Sequence, residues 1–124
     1  MPDFAEAHSS LGSTYSNQGQ HEKAIASYKE TIRINPDHEY ANFGLGQIYF
    51  IQGKLNTALV HLKEADRIMP NDPYILANIG HVYLEQDEPK KSIKILKQAL
   101  NKNPASSTII DPLDNSNPSL SNEL

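Results

Sequence analysis

Apolar residues along this chain fall three and four apart, the spacing of one helix face, and the pattern restarts every 34 residues. Leu11, Gly12 and Tyr15 return as Leu45, Gly46 and Tyr49, and again as Ile79, Gly80 and Tyr83. Between these sets lies a second one, Ile25, Tyr28 and Ile32, then Ala58, Leu59 and Leu62, which marks the buried face of a second helix in each unit. Prolines at 2, 36, 70 and 104 keep the same beat and stop each unit, because the residue before a proline is driven out of the α region. Residues 3–104 therefore read as three copies of one two-helix module, at about 5–38, 39–72 and 73–104. A fixed period of this size signals units that stack to bury a continuous core.

The first helix is predicted to start after Asp3, with Glu6 completing a capping-box-like pair, and to run to about Gln18. Gly19 supplies the left-handed residue that ends it, and a second helix spans about His21 to Asn35. In the next copy Asp37 is the predicted cap and Gly53 the break. The third opens on Asn71, Asp72 and Pro73, turns at Asp87 in place of glycine, and ends with a helix from Pro89 to near Asn103. Each helix is expected to be about 14 residues long. A glycine inside a helix costs up to about 1 kcal/mol, so Gly12, Gly46 and Gly80 predict close helix crossings, with Ala24, Ala58 and Ser92 as the shallow opposite side.

In these columns, with Ala65 and Ala99, Leu96 and the four prolines, the chain resembles the tetratricopeptide repeat. It departs at His8, Asn42 and Leu76, where the family often has tryptophan, and at Thr31, where it prefers alanine. The resemblance implies an all-α fold: an α-solenoid of three helix-turn-helix units in a right-handed superhelix, with first helices lining a concave groove.

The two ends differ. Lys94 and Lys102 stand where Ala26 and Val60, and Ile34 and Ile68, stood before, which predicts a built-in polar cap and an array ending at Pro104. Pro2 to Ala7 matches the junction at Pro36-Asp37, so the N-terminal face near Phe4, His8 and Leu11 is expected to be open to a partner, to weak homo-oligomerisation, or to the rest of a longer array. Residues 105–124 are rich in Ser, Asn, Asp and Pro and lack periodicity, and disorder is expected there. A short apolar cluster, Ile109, Ile110 and Leu113, is the exception and could dock on the last helix.

Composition narrows the chemistry. The 124 residues contain no cysteine, which excludes disulfides and thiolate sites. The net charge is −4, of which Asp111, Asp114 and Glu123 in the tail supply three negative charges, so the repeats are nearly neutral and nucleic acid is not an expected partner. Lys90, Lys91, Lys94 and Lys97 form a basic strip that reads as a solvated face. The N-terminus lacks a basic and apolar leader and no stretch suits a membrane, so a cytoplasmic protein is expected. No two of the histidines at 8, 21, 38, 61 and 81 share the i, i+4 spacing of a metal site; His8 is expected to pack and the others to face solvent or groove. With no acid/base pair or phosphate loop either, we expect no catalysis, metal or cofactor.

If first helices line a groove, as the resemblance implies, Glu6, Ser9, Ser13, Ser16 and Asn17 line one end, and Ala77, Leu84 and Glu85 the other. The expected partner-binding residues are Tyr40, Phe43, Gln47, Phe50 and Ile51, with Tyr74, Asn78 and His81. Tyr40, Phe43, Gln47 and Phe50 recur at 3, 4 and 3, a second apolar stripe beside the packing set of Leu45, Gly46 and Tyr49. Rigid aromatic anchors commonly carry binding energy. The family's carboxylate clamp would fall at Ser9, Ser13, Gly44, Tyr74 and Asn78, none of them cationic, and its asparagine ladder at Ser10, Gly44 and Asn78. Neither chemistry is expected. The sequence thus points to an adaptor or scaffold that binds an apolar peptide or helix; the alternatives are a self-associating unit and a regulatory domain of an absent enzyme.

Overall fold

The computed structural model describes residues 4–102, which form six helices and, among the described residues, no strand. They are α1 (Phe4–Asn17), α2 (His21–Ile34), α3 (Ala41–Ile51), α4 (Leu55–Ile68), α5 (Pro73–Glu85) and α6 (Pro89–Lys102). Asp3, the side chain of Lys102 and the segment carrying Ile109, Ile110 and Leu113 lie outside the described residues, so the first cap and the tail readings fall there too.

Consecutive helices pack as pairs, and the pairs stack by α2 against α3 and α4 against α5. The first helices also touch one another, α1 to α3 and α3 to α5, whereas α2 and α4, and α4 and α6, do not. First helices close together and second helices apart make a curved solenoid with α1, α3 and α5 on its inner side.

Column by column, the pattern becomes packing. Leu45, Ile48, Leu62, Ile75, Ile79 and Val82 are fully buried, each worth about 1.5–3 kcal/mol relative to exposure. The crossings occur at the predicted glycines, where Ala58 brings its carbonyl within 3.4 Å of a Cβ on Gly46, but the closest atoms belong to the side chains one turn further on. A Cβ on Gly46 would lie 2.6 Å from Leu62 Cγ, and one on Gly80 would lie 2.7 Å from Leu96 Cδ2. The leucine one turn beyond Ala58 or Ser92 reaches back over the glycine, because helical side chains point toward the preceding turn. Ser92 makes a contact of its own, donating to the Gly80 carbonyl at 2.8 Å.

The turns follow the sequence. Gly53 has φ 75° and Asp87 φ 57°, so aspartate does adopt the left-handed conformation that glycine holds in the earlier copies. Asp72 caps α5, accepting from the Tyr74 and Ile75 amides at 2.9 and 3.2 Å. Asp37 does not cap α3. That helix begins at Ala41 and has only 11 residues, and Asp37 instead accepts from Arg67 Nη2 of α4 at 2.8 Å.

Two histidines are interior, not on the surface or in the groove as expected. His38 is 6% exposed and links the first two repeats. His61 is partly buried, stacks on Tyr49 with ring centroids 5.5 Å apart, and its Nδ1–H donates to Asn42 Oδ1 at 3.0 Å. Burial pushes the His61 pKa down, with Lys29 adding to the effect and Glu64 opposing it. A buried polar residue needs a partner. Asn42 tolerates its buried place in the tryptophan column because His61 supplies one.

Candidate interaction groove

The side-by-side packing of α1 and α3 sets Glu6, Ser9, Ser10 and Ser13 across from Tyr40, Phe43, Gly44 and Gln47. Between them is an open cleft of about 360 Å³. Its floor is Tyr28, which reaches in from α2. Tyr28 fits because two opposing positions lack side chains: a Cβ on Gly12 would lie 2.8 Å from Tyr28 Cδ1, and one on Gly44 would lie 2.5 Å from Tyr28 Cζ. Its hydroxyl bonds the Ser13 side chain; burial pushes the phenol pKa up, and that bond partly offsets the shift.

Tyr40 is held at the mouth of the cleft by His38. The Tyr40 amide donates to His38 Nδ1 at 3.2 Å, so the ring proton sits on Nε2, which donates to Glu6 Oε2 at 2.9 Å. The two rings meet edge to face with centroids 6.3 Å apart. Glu6 thereby ties α1 to the start of α3.

Of the groove residues expected from sequence, Glu6, Ser9, Ser13, Tyr40, Phe43 and Gln47 come together in this cleft; Phe50, Ile51, Tyr74, Asn78 and His81 do not line it. Tyr40 and Tyr74 are 56% and 54% exposed, and Gln47, Ile51 and His81 also face outward. Phe43 and Phe50 are partly buried, each packed against the core cluster. Asn78 donates to the Tyr74 carbonyl at 2.8 Å within its own helix. Sequence reasoning missed Tyr28, since its column otherwise holds the packing leucines 62 and 96. The sign that could have found it is the pair Gly12 and Gly44, two missing side chains on the helices flanking one ring.

A larger recess of about 550 Å³, lined by Asn56, Leu59, Tyr83 and Gln86 among others, lies between the second and third repeats. The Gln86 amide donates across it to Asn56 Oδ1 at 2.8 Å, as Gln52 does to Glu22 at 3.1 Å one repeat earlier. It is a stapled joint between repeats. Among the described residues there is no cluster that could hold a metal, and no helix is long and apolar enough to cross a membrane.

Comparison with known proteins agrees with this geometry. The pattern described as "Tetratricopeptide repeat" matches residues 5–38 and 73–106, and that described as "TPR repeat" matches residues 46–87. The chain belongs to the tetratricopeptide repeat family. Among solved structures, the first TPR of Spaghetti (RPAP3), bound to the HSP90 peptide SRMEEVD, has a TM-score of 0.80 at 17% identity, over 84% of this chain and 82% of that one. No curated protein matches this sequence. At that identity the likeness is one of fold. Within it, this tetratricopeptide repeat array fills the usual tryptophan column in three ways: a partly buried His8, the His61-bound Asn42, and a fully buried Leu76.

Proposed function

We propose that this chain is a protein-interaction module that takes an apolar segment of a partner, peptide or helix, along the inner face of α1, α3 and α5. Membership of the tetratricopeptide repeat family supports the general reading, and the neighbour of the same fold binds a peptide. The observation that carries the finer reading is the cleft itself: Tyr28, Tyr40 and Phe43 are grouped beside serines, with no lysine or arginine in the lining. SRMEEVD carries three acidic side chains. A cleft whose only carboxylate is Glu6 offers such a peptide no cation to pair with, which argues against an acidic segment, while Tyr40 and Phe43 favour an apolar one.

Tyr40 and Tyr74 are the anchors to test, because both expose half their surface while their backbones are fixed by His38 and Asp72. Fixed anchors lose little freedom on binding. Selecting peptides from a displayed random library against the wild-type protein should return an apolar consensus. Tyr40→Ala with Tyr74→Ala should weaken the selected peptides about tenfold or more, with an unchanged helical circular dichroism signal. An acidic consensus, or peptides bound equally by the double variant, would falsify this reading.

A further inference from the structure

All eleven lysines and arginines of the chain lie on α2, α4 and α6 or in the turn before α4. α1, α3 and α5, which make the inner side, have none, and their carboxylates are Glu6 and Glu85 alone. The outer lysines also cover aromatic rings. Lys23 lies over Tyr15, Lys54 over Tyr49 and Lys91 over Tyr83, each Nζ 5.7 or 5.8 Å from the ring centroid. Tyr40, exposed at the mouth of the cleft, has no such cover among the described residues.

Glu6 and Tyr40 stand on opposite sides of the cleft, and His38 fixes both. Its ring donates to Glu6 Oε2 at 2.9 Å and accepts from the Tyr40 amide at 3.2 Å, so it orients the carboxylate without adding a positive charge. The Glu6 side chain is still 61% exposed. Around it, Ser10, Ser13 and Gln47 offer neutral acceptors, and Tyr28, Tyr40 and Phe43 offer aromatic surface. A carboxylate, neutral acceptors and rings with no cation among them suit a side chain that has an apolar stem and a positive head. A purely apolar side chain seated beside Glu6 would take water from the carboxylate and return no bond.

We propose that the cleft between α1 and α3 is a subsite for one lysine or arginine side chain of the partner segment, its head paired with Glu6 and its stem laid along Tyr40 and Phe43. This rests on the groove reading above, in which the rest of the segment is apolar. The cleft, of about 360 Å³, has room for one long side chain. Apolar contacts along the inner side supply affinity, and the single charge fixes which residue of the segment enters the cleft. The placing of every lysine and arginine off α1, α3 and α5 then has a consequence: none on the inner helices competes for Glu6.

The test takes peptides selected from a displayed random library against the full chain and synthesises each twice, as selected and with every lysine or arginine replaced by norleucine. Both are titrated against wild type, Glu6→Gln and Glu85→Gln. Glutamine keeps an acceptor for His38 Nε2 and removes only the charge. The apolar consensus should hold one invariant lysine or arginine. Either its replacement or Glu6→Gln should weaken binding about fivefold or more, while the norleucine peptides bind wild type and Glu6→Gln alike. Glu85→Gln, on α5 and outside the cleft, should change affinity less than about twofold. An apolar consensus without a cation would overturn this proposal and leave the groove reading standing; an acidic consensus would overturn both. Norleucine peptides that lose as much on Glu6→Gln as the cationic ones, or an equal loss with Glu85→Gln, would also overturn it, since the charge in the cleft would then not be what the partner reads.

Discussion

α1 and α3 occupy the same place in successive repeats and are treated oppositely by their surroundings. In α3, which packs against α2 as well as α4, Ala41, Leu45 and Ile48 are buried. The register-equivalent residues of α1, Ala7, Leu11 and Thr14, are exposed. Leu45 is 0% exposed and Leu11 is 45% exposed, although the two leucines occupy the same column. A repeat's first helix is therefore only half a core. The other half comes from the second helix before it, so the energy of a column depends on its neighbour as much as on its residue.

The sharpest way to break this comparison is to truncate the two leucines. Leu45→Ala should cost about 3 kcal/mol in urea unfolding, because it opens a cavity between two repeats. Leu11→Ala should cost less than about 1 kcal/mol, since its side chain borders solvent. Equal costs would mean that α1 is covered in solution by something outside the described residues.

A second contrast sets a crossing against a turn. Gly46→Ala puts a methyl into Leu62 and should cost about 1–3 kcal/mol from overpacking. Gly53→Ala meets nothing within 4 Å, and its cost, about 1 kcal/mol, comes only from the left-handed backbone. If Gly53→Ala proved the worse of the two, the close approach of α3 to α4 would not be what selects glycine at 46.

The smallest expected effect is a pH dependence confined to the middle repeat, where His61 stands in the column that holds Ser27 in the first. The folded-state pKa of His61 lies below the ordinary histidine value of 6.5 because its ring is partly buried, with Lys29 nearby. Below that pH the unfolded chain takes up the proton more readily than the folded one, so this contribution is intact above pH 6.5 and shrinks as the pH falls. Melting curves from neutral to mildly acidic pH should show the wild type losing more stability than His61→Gln. Parallel curves would show that His61 titrates alike in both states.

Much of the fold was legible because it repeats. Three in-phase copies give each column three readings, so the glycine crossings, the Asp72 cap and the Asp87 turn could be read from residue type and spacing. What failed was what only one copy contains. Asp37 lay in a proper cap position, but three more residues intervene before α3 starts, and Arg67 competes for its carboxylate. His38 looked like a surface residue until Glu6, from α1, arrived at its Nε2. Of the groove, helical spacing set Tyr40, Phe43, Gln47 and Phe50 on one stripe, but it could not say that Phe43 and Phe50 would turn partly into the core while Tyr40 stayed out.

The sequence by itself determined the number of helices, their register, the family and the absence of thiol chemistry, since these rest on local propensity and on a period that needs no coordinates to count. The tertiary structure alone decided which face of a column is buried and where a cleft opens. Those depend on distances between residues from half a repeat to a whole one apart, such as Tyr28 to Gly44 and Glu6 to His38, and such distances exist only once neighbouring helices have stacked.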